Sequence, residues 1–163
     1  MLSKPMLKAL NDQVNDELYS SYLYLSMSAH FQASNLPGFA HWMMLQSKEE
    51  YEHAMKIFNY IHGRSGRTTL NAIAKPPAEF KRPLDVMKQV LEHEKTVSGM
   101  INSLYELATK EKDYPTQVML QWFITEQVEE EKTAGDIIEQ LKMIGDAGAG
   151  LMMLDRQLGG RGS

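Results

Sequence analysis

Four long stretches of this chain repeat apolar residues at alternating steps of three and four, and each stripe is interrupted near its middle by acidic or amide side chains. Such steps trace one face of an α-helix. The first stripe reads Leu10, Val14, Glu17, Ser21, Tyr24, Ser28, Phe31 and lies on Lys4 to Ser34, which holds no Gly and no Pro after Pro5. The second, on Phe39 to His62, reads Phe39, Met43, Gln46, Glu50, His53, Ile57, Tyr60. The third begins near Pro83 and reads Met87, Val90, Glu94, Val97, Ile101, Leu104, Ala108. The fourth reads Leu120, Phe123, Gln127, Glu130, Ala134, Ile137, Leu141, with Asp113 as the expected N-cap and Pro115 in the first turn. Helices of this kind bury their stripes against one another. The expected fold class is therefore all-α, an antiparallel four-helix bundle.

The connections refine that expectation. Asn35-Leu36-Pro37-Gly38 is a short turn, which makes the first two helices antiparallel neighbours. Gly63 and Gly66 end the second helix. From Arg64 to Arg82 there is no helical period, and Pro76-Pro77 lies within. Helices of about 25 residues are roughly 38 Å long, and this segment extended reaches roughly 60 Å. It can return along a whole bundle, giving one long crossover and parallel second and third helices. Gly145-Asp146-Ala147-Gly148 then breaks the chain, and Leu151, Leu154 and Leu158 mark a short fifth helix over about 149–158. A helix that short must dock, either on its own bundle or at a subunit interface. Residues 1–163 read as a single domain, with the bundle over about 4–143 and a loose tail from Gly159 to Ser163. Gly99 and Gly135 fall inside helices, where glycine costs about 1 kcal/mol against alanine. Close helix approach is the expected reason.

The interruptions carry the chemistry. An unpaired carboxylate in a core costs several kcal/mol. Yet Glu17, Glu50, Glu94 and Glu130 each take the phase of apolar neighbours. The helix midpoints fall near residues 19, 51, 97 and 129, so the interruptions sit halfway along every helix. Halfway is the same height whichever way a helix points, and the four meet in one layer. A polar layer that only fixed register would use amides or balanced charge; this one holds no Lys or Arg. Two divalent cations would cancel four carboxylates, and without them some carboxyls would stay protonated. His53 lies three residues after Glu50, on the same face. Oxygen donors with one imidazole suit iron or manganese. Glu49, Glu126 and Glu129 flank the layer and form either a solvated face or a third, more exposed cation site. Tyr24, two turns from Glu17, is a core tyrosine or an electron donor beside the metals.

Composition excludes other chemistries. No cysteine is present, so disulfides, thiolate ligands and cysteine nucleophiles are ruled out. A net charge of −4 without a Lys/Arg-rich tail points away from nucleic acid. No apolar run approaches the ~18 residues of a membrane span, and Met1-Leu2-Ser3-Lys4-Pro5 is not followed by an apolar signal region. A cytoplasmic location, with no membrane partner, is expected. The twelve methionines are expected mainly in the core.

Glu49-Glu50-Tyr51-Glu52-His53 and Glu126-Gln127-Val128-Glu129-Glu130-Glu131, with the long crossover and short fifth helix, resemble the ferritin family, and most nearly the non-haem ferritins of bacteria and archaea. The resemblance covers essentially the whole chain. It implies that Glu17, Glu50 and His53 hold a first iron, with Glu50 bridging to a second held by Glu94 and Glu130. Glu49, Glu126 and Glu129 would hold a third, and Gln127 would stand beside the second iron through a hydrogen bond. It also implies a homo-oligomeric shell of twenty-four subunits, with the fifth helix at the four-fold contacts. Iron(II) would be oxidised by dioxygen or peroxide and stored as ferric oxyhydroxide, making the protein a ferroxidase.

One departure is informative. Bacterioferritins and rubrerythrins carry two Glu-x-x-His motifs, whereas the second position here reads Gln127-x-x-Glu130. That favours a site through which iron passes over a durable di-iron cofactor, and it disfavours haem. The competing reading is a di-iron or di-manganese oxidoreductase without storage; the missing histidine and the fifth helix count against it. A DNA-protecting mini-ferritin would place its metal between subunits and usually carry a basic tail, which does not fit. A scaffold with an inert polar layer is the remaining alternative.

Overall fold

The structure is a computed structural model and describes residues 1–162; Ser163, the end of the expected tail, lies outside the described residues. Five helices account for the regular structure among these residues: α1 (Lys4–Ala33), α2 (Pro37–Gly63), α3 (Pro83–Glu111), α4 (Tyr114–Ile144) and α5 (Gly148–Gly159). Proline opens each of the first four, where its missing N–H costs no helical bond. The chain groups into two compact units, one running to Phe80 and resuming at Asp146, the other Lys81–Gly145.

In the first unit, Ser3 caps α1 by accepting from the Met6 amide at 3.1 Å. The turn into α2 passes through Asn35 at φ 58°, a left-handed conformation that asparagine tolerates. α1 and α2 run antiparallel, as successive cross-links show. Ser28 Oγ donates to Ala40 O at 2.7 Å. One helical stage further on, Ser21 and Ser47 each donate to the other's main-chain carbonyl at 2.7 Å. Phe31 stacks on Phe39 at 4.9 Å between centroids, and Met6, Leu10, Met43, Ile57 and Ile61 are fully buried.

The crossover segment is tied to α1 over much of its length. Asn11 accepts from the Thr69 amide at 2.8 Å and donates to Arg67 O at 3.1 Å. Ser26 Oγ donates to Pro77 O at 2.5 Å. The two anchor points are about 22 Å apart along the helix. The expected return path is thus laid against α1 by polar contacts.

α5 docks on α2 of its own unit. Leu36 offers α2 no side-chain cap; instead Asp155 Oδ1 accepts from the Phe39 amide at 2.9 Å. Gly38 makes this possible, since a Cβ there would lie 1.6 Å from the Asp155 carbonyl oxygen. Leu154 and Leu158 are buried, while Met152 and Met153 are exposed.

In the second unit, Lys112 turns the chain at φ 57° and Asp113 caps α4, accepting from the Thr116 amide and hydroxyl. α3 and α4 are antiparallel, linked by Gln117 Nε2 to Ala108 O (3.4 Å) at one end and Ser98 Oγ to Glu131 Oε1 (2.8 Å) further along. Every residue of the two predicted stripes is buried.

Two expectations need correction. A Cβ added at Gly99 or Gly135 would meet nothing within 4 Å, so neither glycine serves a close helix approach within this chain. The approach that requires glycine is at Gly38. Nor is Arg161, after α5, loose: Gly159 completes the helix, and Arg161 is held by α2 through side chain and main chain. No described helix is long and apolar enough to cross a membrane.

Candidate metal centre

Glu17 on α1 and Glu50 and His53 on α2 come together in the first unit. Their relative exposures are 1%, 1% and 4%, and one ligand atom from each lies within 4.8 Å of the others. His53 Nδ1 is 3.3 Å from Glu50 Oε2, a spacing set by one turn of helix. Gln13, one turn before Glu17, donates to Glu17 Oε1 at 2.9 Å; Glu17 Oε2 is buried with no hydrogen-bond donor. The reciprocal Ser21–Ser47 pair lies about one turn along both helices and fixes the register that sets Glu17 opposite Glu50.

The electrostatics of this cluster are compatible with a cation. Burial, and then the charge of Glu50, push the Glu17 carboxyl well above the usual glutamate range, against the opposing effects of His53 and Gln13. Two carboxylates and an imidazole at this spacing offer oxygen and nitrogen donors to a divalent ion, which would take the place of the proton.

Glu94 on α3 and Gln127 and Glu130 on α4 lie in the second unit, all buried. Gln127 Nε2 donates to Glu94 Oε2 at 3.0 Å and to Glu94 O at 3.1 Å. It also reaches Ser98 Oγ at 3.2 Å, whose hydroxyl donates to Glu131 Oε1 at 2.8 Å. A neutral amide beside a buried carboxylate fixes its rotamer without neutralising it. Glu130 follows Gln127 by three residues and shares its buried face.

The flanking residues differ in setting. Glu126 is half-buried and Glu129 exposed on α4. Glu49, half-buried on α2, is engaged by Arg161, with Nη2 2.8 Å from Oε1. Tyr24 is fully buried in α1.

A family model for the ferritin-like domain matches residues 7–144. The chain belongs to the ferritin family. The non-haem ferritin of Bacteroides fragilis is 44% identical over 161 residues, covering 99% of this chain and 100% of the relative. That of Staphylococcus aureus strain NCTC 8325 is 38% identical, covering 99% and 97%. An open pore ferritin from the archaeon Archaeoglobus fulgidus superposes with a TM-score of 0.99 at 46% identity, covering 99% of this chain and 100% of that one. The fold is the all-α ferritin fold, a four-helix bundle with a short C-terminal helix.

Within this ferritin, three expected ligands converge as one cluster in the first unit, and Gln127 is bonded to Glu94 in the second. Several contributors escaped the sequence, among them Gln13 beside Glu17 and Ser47 opposite Ser21. Ser98 and Glu131 support Gln127; Ser98 follows Glu94 by four residues, a signal that helix periodicity offers. Arg161 bonds Glu49 from far along the chain, and no local pattern announces it.

Proposed function

We propose that this ferritin stores iron and has ferroxidase activity. Fe(II) is its substrate, bound at a dinuclear carboxylate centre within each subunit. Glu17, Glu50 and His53 take the first ion, Glu50 bridges, and Glu94 and Glu130 take the second. The observation that carries this reading is the buried Glu17–Glu50–His53 cluster, with donor atoms within 4.8 Å of one another, in a chain of the ferritin family. Each iron gives up one electron, so a pair takes dioxygen to the peroxide level or peroxide to water. Gln127 holds Glu94 in place through its amide. Tyr24 stands in the same helix as Glu17 as a further electron source. Glu49, Glu126 and Glu129 supply a third station that receives iron next to the pair. Ferric oxyhydroxide then collects inside a shell of twenty-four copies, and the whole chain acts as one ferritin-like domain in the cytoplasm, without haem, nucleic acid or membrane as partner.

The test adds Fe(II) in air to the purified protein and follows ferric absorbance, oxygen uptake and particle size together. Storage predicts iron uptake far beyond the ligand count, in a large particle. Oxidation that stops at two or three irons per subunit would instead establish a di-iron oxidoreductase without storage.

A further inference from the structure

Arg161 follows all five helices, yet five contacts bind it to α2. Its Nη1 donates to Gln46 Oε1 at 2.8 Å and, more weakly, to Trp42 O at 3.4 Å. Its Nη2 pairs with Glu49 Oε1 at 2.8 Å. The guanidinium carbon stands 5.0 Å from the Trp42 ring centroid, within range of cation–π attraction. Its own carbonyl oxygen is bonded by His41 Nε2 at 2.8 Å. Trp42, Gln46 and Glu49 are spaced by four and three residues, one continuous helix face. Gln46 is 1% and Trp42 4% exposed, so the seat is built largely from buried groups. Gly159 passes close over Gly38, where an added Cβ would stand 3.2 Å from the Gly38 Cα, and this crossing leads the chain onto that face.

A carboxylate oxygen already paired with a guanidinium at 2.8 Å is a poor metal ligand. The lone pair is committed, and the fixed positive charge repels a second cation. We propose that Arg161 is a tethered counter-cation that holds Glu49 and yields it to an incoming di- or trivalent metal ion. Arg161 is thus a positioning residue for the third station, acting through Glu49, and the exchange sets how tightly that station holds iron. This rests on the third-station reading given above.

The experiment uses the assembled protein and Zn(II), a redox-inert probe, titrated anaerobically by calorimetry. The variants are Arg161→Gln, Arg161→Lys and Glu49→Gln. Each is also made in a Trp122→Phe background, so that emission reports Trp42 as the remaining tryptophan. The parent is expected to bind two Zn(II) tightly and a third weakly. Arg161→Gln should tighten the third by about tenfold, the worth of one charge-assisted bond, with the tight pair unchanged. Arg161→Lys should fall between, since it keeps the charge and loses the fork. Filling the third site should shift Trp42 emission in the parent as the guanidinium leaves the ring, and should not in Arg161→Gln. Unchanged tight binding in the same titration controls for folding. The latch is overturned if Glu49→Gln abolishes the third site while Arg161→Gln binds it as the parent does, or if Trp42 emission ignores the third ion. Should Glu49→Gln still bind three Zn(II), the third-station reading itself fails and the latch with it.

Discussion

Asp155 accepts a hydrogen bond from the Phe39 amide at 2.9 Å, so a residue of α5 caps α2 across 116 positions of sequence. The carboxylate meets both an orphan N–H and the positive end of the helix dipole. Asp155→Ala should cost about 1–2 kcal/mol and leave residues 145–147 more open to protease. Gly38→Ala should do more, because its Cβ would overlap the Asp155 carbonyl and drive α5 away. Denaturant titration with limited proteolysis checks both. If Gly38→Ala keeps α5 as protected as in the parent, the packing described is wrong.

Glu17 makes metal-free stability depend on pH. Its folded carboxyl titrates above the ordinary value of 4.5, so between the two the folded state binds more protons than the unfolded. Stability from this group is complete below the ordinary value and falls as pH rises through the window. Glu17→Gln should therefore stabilise the metal-free protein at pH 8 relative to pH 5, and should blunt the further gain on adding Zn(II). Melting curves at pH 5 and 8, with and without Zn(II), decide it. A destabilised metal-free variant would mean that Glu17 is not strained by its surroundings.

Gln127 should matter through Glu94. Gln127→Leu removes the amide that fixes Oε2 while keeping bulk, and the fast phase of iron oxidation should slow about tenfold, the effect of losing a supporting residue beside a metal ligand. Ser98→Ala, which removes one of the partners of Gln127, should slow it less. Stopped-flow absorbance measures both, and equal rates in parent and Gln127→Leu would remove any positioning role.

Glu50→Ala should slow oxidation most of all single changes, because it removes the proposed bridge and half of the buried pair with His53. Glu129→Ala should spare the fast phase and change the number of irons bound. A Glu50→Ala protein that oxidises iron at the parent rate places the chemistry elsewhere.

Gly99→Ala and Gly135→Ala should each stabilise the protein by about 0.5–1 kcal/mol. Both lie within helices and face open space. Chemical denaturation is the measure, and a loss at either position would reveal a contact that this chain alone does not make.

Helix limits were legible because Pro5, Pro83 and Pro115 mark starts and the stripes hold an unbroken phase; the boundaries shift by only a residue or two, with Pro37 and Gly38 opening α2 instead of lying in the turn. Glu17, Glu50 and His53 were legible for the same reason, since a charge on an apolar stripe contradicts its surroundings. Asp155 and Arg161 were not. Each acts on α2 over more than a hundred residues, and a side chain's distant partner leaves no mark on its neighbours. Gly99 and Gly135 misled in the opposite direction, since glycine signals an unusual need only where something stands in the way of a Cβ.

The Glu17–Glu50–His53 cluster is drawn entirely from α1 and α2. A ribosome makes those helices ahead of α3, α4 and Arg161, and chains fold from the N-terminal side as they emerge. The α1–α2 hairpin by itself therefore supplies all three donors of this cluster. The guanidinium that pairs with Glu49 is made only after all five helices.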